Sequence, residues 1–218
     1  MKSFVFGETA LGMAIPAFRF GSGGPKALII GGVHGNEPEG VVASLGLLKA
    51  FSHEYLFKIQ IILIPEFNMD GILSGSRLNG NGVDLNRNLP TNDWNPKAFD
   101  PKYPPGPKAN SEPENKALVK FLDLEKPMMI YTLHSWKPLL NVNGACLPEA
   151  NVIARLTGYE IKNEIGYPTP GCLGTYAGLE RQMPTLTYEI ERGLDFEKIL
   201  AIHVPAILES LKETEKRH

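Results

Sequence analysis

The sequence predicts an α/β protein: a single domain built on a mixed, mainly parallel twisted sheet with helices on both faces. Two observations lead there. Short apolar runs of strand length alternate with segments whose apolar residues recur at helical spacing, the pattern of βαβ units. No internal repeat and no low-complexity tract interrupts that alternation.

Taken in order, Ala27 to Val33 is an apolar run carrying Gly31-Gly32, as expected of a buried strand. Pro38 can open a helix in its first turn, and Val41, Leu45, Leu48 and Lys49 continue it. Lys58 to Phe67 reads as a second strand, with Ile59, Ile61, Ile62 and Leu63 supplying its bulk. Asn79 to Arg87 is a turn region, and Asn92 to Asn110, rich in Pro and Gly and aperiodic, reads as a long surface loop. Ser111 is the expected N-cap of a helix over Glu112–Leu124, with Glu114 in the capping-box position. Pro127–His134 and Thr185–Ile190 are the third and fourth strands. Asp195–Lys212 reads as a last amphipathic helix, kinked or broken near Pro205.

The 218 residues suit one domain, and 43% hydrophobic with 21% charged residues is ordinary for a globular protein. A net charge of -2 gives no electrostatic case for nucleic acid or an anionic membrane. No apolar run approaches the roughly 20 residues that span a bilayer. The amino terminus meets Glu8 early and lacks the apolar core of a secretory signal, so a cytoplasmic protein is expected. Cys146 and Cys172 are too few and too far apart for a disulfide framework, and both are expected as reduced thiols. The oligomeric state is not legible.

The chemistry concentrates at strand ends, where ligands gather in open α/β sheets. His34-Gly35-Asn36-Glu37 follows the first strand, and His and Glu three residues apart can face one ion. A catalytic zinc takes three protein ligands, and His134, closing the third strand, is the candidate third. Either histidine alone more often caps a strand; together, and with Glu37, they favour a metal. Asp84 is a natural acceptor for the outer ring N–H of a metal-bound histidine. Arg77 and Arg87 beside a Gly-rich loop could fork onto a carboxylate, although a single Arg on a turn is usually solvated. Glu189 and Glu191 end the last strand on one face, and pattern alone does not choose a general base between them.

The set of His34 and Glu37, Asn68-Met69-Asp70-Gly71, Ser76-Arg77, Gly82-Val83-Asp84-Leu85-Asn86-Arg87-Asn88, His134, and Thr187 with Glu189 resembles the zinc carboxypeptidases. The likeness spans roughly residues 27–191 in consistent order. It implies one zinc ion per chain on His34, Glu37 and His134. It further implies Glu189 as general base, Arg77 polarising the scissile carbonyl, Asn86 and Arg87 on the terminal carboxylate, and Tyr167 covering the scissile bond. Asn36 stands where digestive members carry Arg, so one of their substrate contacts is absent. His-Gly-Asn-Glu is also similar to the aspartoacylase and succinylglutamate desuccinylase branch, which keeps an N-acyl amino acid deacylase in play beside a general α-peptide carboxypeptidase.

Within the family, Asn110-Ser111-Glu112-Pro113-Glu114 and the segment Ile165 to Tyr176 are most similar to the bacterial murein peptide amidases. This implies a small-peptide substrate and cleavage of the γ-D-glutamyl–diaminopimelate amide of murein tripeptide. Cys172 replaces a serine of those relatives, a change expected to act on pocket packing. His53, His203 and His218 are expected to be solvated or capping. Trp94 and Trp136 are expected to pack on loops, with Trp136 also a candidate for the pocket wall.

Overall fold

A computed structural model describes residues 1–98 and 100–217. One eight-stranded sheet runs through it. Its strands are β1 (Lys2–Glu8), β2 (Ala14–Phe20), β3 (Lys26–Gly31), β4 (Gln60–Ile64), β5 (Met129–Trp136), β6 (Leu139–Asn143), β7 (Glu160–Lys162) and β8 (Thr185–Glu191). Their spatial order is β1-β2-β4-β3-β5-β8-β6-β7. The centre, β4-β3-β5-β8, is parallel, while β1, β2 and β6 pair antiparallel with their inward neighbours.

The period-2 alternation of the central strands divides the apolar residues into two cores. Ala27, Ile29, Ile61, Leu63, Met129, Tyr131 and Leu133 face one side. There they meet Ala43, Leu47 and Phe51 of α1 (Pro38–His53), Ala150 and Ile153 of Leu147–Thr157, and Ile207 and Leu211 of Val204–Lys216. Leu28, Ile30, Ile62, Ile64 and Ile130 face the other side, against Leu118 and Leu122 of α3 (Pro113–Glu125) and Leu85, Leu89 and Tyr176. Strands apolar on both faces need cover on both, which is why helices lie above and below.

Two expectations change. The helix predicted from Glu112 is α3, but Ser111 does not cap it: Glu112 holds the N-cap position without a side-chain bond to the helix. Ser111 donates to Glu112 Oε1 at 2.6 Å, and Glu114 accepts from Ala10 N at 2.9 Å and Asn79 Nδ2 at 3.2 Å. Tertiary partners took both side chains from the cap. The carboxy-terminal helix does break near Pro205, as expected: a π-helical stretch, Ile199–His203, gives way to Val204–Lys216 with the proline, which has no N–H to donate, in its first turn. His203 is neither solvated nor capping: it is buried, its Nδ1 against the Tyr188 hydroxyl. His53 is exposed at the end of α1, and His218 lies outside the described residues.

Candidate active site

The loop after β3 is shaped by contacts that exclude side chains. A Cβ on Gly31 would lie 2.3 Å from Ser44 Oγ, and one on Gly35 would lie 1.9 Å from the Gly71 carbonyl carbon. Phe67 N and Asn68 N donate to the Gly31 and Gly32 carbonyls at 3.0 and 2.9 Å, tying the two strand ends together. Asn68 caps the short helix α2 (Met69–Ser74) by accepting from Gly71 N at 2.9 Å, and it donates back to Val33 O at 3.3 Å. His34 and Glu37 therefore project from a backbone pinned against α2.

His34, Glu37 and His134 are all buried, and their ligand atoms lie within 4.8 Å of one another, the one such cluster among the described residues. Glu37 Oε1 is 2.9 Å from His34 Nδ1, and its Oε2 is 2.9 Å from His134 Nδ1. The two Nδ1 atoms are 3.1 Å apart. His34 turns Nε2 onto Asp84 Oδ1 at 3.1 Å, which favours a proton there and leaves Nδ1 as a bare lone pair. Two imidazole nitrogens and a carboxylate converging in a buried space are a donor set that suits zinc. Burial pushes the Glu37 carboxyl up, but His34 and His134 hold it well below its ordinary range. Burial acts on Asp84 in the same way, and His34, Arg77 and Arg87 overcome it, so this carboxylate too stays ionised.

A cavity of about 490 Å³ opens on this cluster. Arg77 enters it, its Nε on Asp84 Oδ2 at 2.8 Å and its Nη1 on Glu37 Oε1 at 3.2 Å, with the guanidinium over Tyr103 at 4.8 Å. Arg87 lies over Tyr103 and Tyr167 at 5.2 and 5.9 Å. Asn86 accepts from Leu173 N at 2.9 Å through Oδ1, so its amide nitrogen is what remains for a ligand. Tyr167 stacks on Tyr103 and meets Trp136 edge-on, with ring centroids at 6.1 and 5.7 Å. Glu189 is the register partner of His134 on the neighbouring strand, and it lines the cavity. Burial pushes its carboxyl up to about 7, with the Glu37 charge adding to the effect against His134, Arg77 and Arg192. Glu191 is exposed.

The structure thus brings His34, Glu37, Arg77, Asn86, Arg87, Tyr167 and Glu189 to one cavity wall, with His134 buried against Glu37. Sequence reasoning missed Tyr103, which sits in the loop read as surface and aperiodic; a lone Tyr among prolines gives no signal. It also missed Ser135, whose N–H donates to Glu37 Oε2 at 3.2 Å, and Arg192, whose Nη2 reaches Glu37 Oε1 at 3.2 Å. Asn141 and Asn143 on β6 line the cavity as well, in a strand that was not anticipated. Trp136 is on the cavity wall, and Trp94 packs against Gly171.

The profile of the zinc carboxypeptidase family matches residues 1–171, a span that holds the three candidate ligands of the metal but ends before Glu189. The chain is similar to murein peptide amidase A of Vibrio campbellii, 32% identical over an alignment of 193 residues, with 80% of this chain and 74% of the relative covered. It is 29% identical over 163 residues to murein peptide amidase A of Escherichia coli K12, covering 69% of this chain and 65% of that one. Among solved structures, murein-tripeptide amidase from Escherichia coli O157 superposes with a TM-score of 0.80 at 23% identity, over 97% of this chain and 92% of that one.

Proposed function

Because this chain belongs to the zinc carboxypeptidase family, we propose that it hydrolyses the γ-D-glutamyl–diaminopimelate amide of murein tripeptide. One observation carries the hydrolytic reading: a three-donor cluster, a carboxyl poised near 7 and two arginines share one cavity. The likeness to relatives named murein peptide amidase carries the choice of substrate.

His34, Glu37 and His134 would hold one zinc ion per chain, which when bound supplies a Lewis acid and lowers the pKa of water. The chain's own groups do the rest. Glu189 accepts the proton of the attacking water on its carboxylate and delivers it to the leaving amine, a role typically worth about 10²–10⁴ in rate. Arg77, held by Asp84 and Glu37, presents its guanidinium where the carbonyl oxygen gains charge, as a preorganised donor should. Arg87 and the Asn86 amide nitrogen hold the terminal carboxylate and so fix which amide is cut. Tyr167, half-buried between Tyr103 and Trp136, covers the scissile bond and thins the water around it. The partner is a small peptide, and the setting we propose is the cytoplasm. Among the described residues no helix is long and apolar enough to cross a membrane.

The test is to incubate the zinc-loaded protein with L-Ala-γ-D-Glu-diaminopimelate, with α-linked tripeptides, and with acetyl- and succinyl-amino acids, and to weigh the products. The dipeptide and free diaminopimelate should appear fastest. Faster release of ordinary carboxy-terminal residues overturns the murein assignment and keeps the carboxypeptidase class; cleavage of acyl amino acids alone points to the deacylase branch.

A further inference from the structure

The cavity carries more cations than the chemistry above employs. Arg77, Arg87, Lys102 and Arg192 line it against two carboxylates, Glu37 and Glu189. Arg192 follows β8, and its side chain is 46% exposed. Its Nη2 donates to Ser135 O at 2.7 Å and to Glu37 Oε1 at 3.2 Å. Among the described residues its Nε and Nη1 have no partner, so their N–H groups are free to donate singly to an anion.

The position of these free donors is informative. Arg87 meets Tyr103, Tyr167 and the Asn86 carbonyl, whereas Arg192 meets Ser135 and Glu37, and the two arginines share none of these partners. Arg192 touches the ligand cluster through Glu37, and Arg87, among the described residues, is bonded to none of its three members. Once Arg87 takes the terminal carboxylate and Arg77 the scissile carbonyl, Arg192 is the cation bonded to the cluster that is left for the acyl part of the substrate. In an α-linked peptide that part offers only another amide. In a γ-glutamyl amide it offers a free carboxylate, hung from the third carbon beyond the scissile carbonyl.

We propose that Arg192 is a specificity-determining residue that binds the free α-carboxylate of a γ-linked glutamyl group on the acyl side of the scissile amide. The proposal rests on the γ-glutamyl reading given above. It makes the cavity a two-carboxylate site, with Arg87 at one end and Arg192 at the other, and it explains why α-linked peptides should be poor substrates.

The experiment compares L-Ala-γ-D-Glu-diaminopimelate with the same peptide carrying an α-carboxamide on its glutamyl residue, in wild type, Arg192→Gln and Lys102→Gln. Wild type should prefer the acid by at least about ten-fold in kcat/KM, the scale of one charge-assisted pair, and Arg192→Gln should erase the preference. Zinc content should stay at the wild-type level in Arg192→Gln. Calorimetry on Glu189→Gln should show the same preference in binding, and on the Glu189→Gln/Arg192→Gln double variant should not. Three results overturn the assignment to Arg192: equal cutting of acid and amide by wild type, loss of the preference in Lys102→Gln instead, or an equal loss on both substrates together with lost zinc. The last would make Arg192 merely a tether for Glu37. If wild type cuts neither γ-linked peptide but cuts α-linked ones, the underlying reading falls, and this proposal with it.

Discussion

Gly35→Ala tests whether the ligand loop is held by packing rather than by the ion. Gly35 does not need a glycine's backbone freedom, because its φ is not in the left-handed region. It needs space. A Cβ there would lie 1.9 Å from the Gly71 carbonyl carbon, 2.1 Å from its oxygen and 2.2 Å from Ile72 N. That is roughly 1.5 Å inside ordinary carbon contact. Helix α2 cannot yield cheaply, since Gly71 N is bonded to Asn68 Oδ1 at 2.9 Å and Gly71 O accepts from Ser76 N at 2.9 Å. The loop must move instead, and it carries His34 on one side of the clash and Glu37 on the other. Overpacking of this kind costs about 1–3 kcal/mol of stability. A displacement of about 1 Å at a site costs on the order of 10² in rate, and loss of ligand support costs about 10–100-fold in metal affinity. The assay is zinc content by titration against a chelator, kcat/KM at saturating zinc, and thermal unfolding. Gly23→Ala serves as control, because a methyl added there would meet nothing within 4 Å. Zinc affinity and kcat/KM within about three-fold of wild type in Gly35→Ala would refute the reasoning.

Glu189→Gln should keep zinc and bind peptide while losing at least about 10²-fold in kcat, with Glu191→Gln, an exposed position, close to wild type; the reverse ranking in steady-state kinetics would move the base to Glu191. Arg87→Ala should lose about 30-fold or more in kcat/KM on a free-acid peptide, and far less on its carboxy-terminal amide, because a buried fork to a carboxylate is removed. Equal losses on both would place the terminal carboxylate elsewhere. Burial pushes the His203 imidazole down to about 4, so the folded state favours its neutral form. The stability it contributes is complete above about 6.5 and is lost as pH falls through the window from 6.5 to 4. Urea midpoints measured across that window should fall less steeply in His203→Asn than in wild type. Glu189, whose carboxyl is raised, acts with the opposite sign and cancels in the comparison. Equal slopes would show that His203 is not the group being titrated.

How much was legible follows from what each residue has to satisfy. The central strands were, because Leu28 to Ile30, Ile61 to Ile64 and Met129 to Leu133 are buried on both faces and, Thr132 apart, carry an unbroken hydrophobic run. β6 was not, because Leu139-Leu140-Asn141-Val142-Asn143 alternates towards a cavity. Its two asparagines face ligand space, and the apolar run that marks a buried strand is broken there. The edge hairpin β1–β2 escaped for a related reason: it is partly exposed, contains Pro16 and alternates too weakly to stand out. The helix at Leu147–Thr157 could have been found, since Pro148 in its first turn repeats the signal that marked α1, and Gly158 at its end is a further stop. At the site, residues within short dense motifs were named from sequence, whereas Tyr103 and Arg192 act through positions that only the fold creates.

The topology says why those motifs, far apart along the chain, form one centre. β3, β5 and β8 are consecutive in the sheet and parallel, so their carboxyl ends emerge at one edge. Gly31 is in register with Leu133, and His134 with Glu189. Neighbouring strands lie about 4.8 Å apart, so the loop bearing His34 and Glu37, the strand bearing His134 and the strand bearing Glu189 fall within two strand spacings. Antiparallel pairing at that edge would have sent one of the three to the far end of the sheet. β6 is the exception, running antiparallel to β8, and its role differs accordingly: it contributes no candidate ligand or base but lays Asn141 beside Thr187 along the cavity wall. Parallel strands thus deliver the reacting groups at their ends, and the antiparallel neighbour lines the pocket with its length.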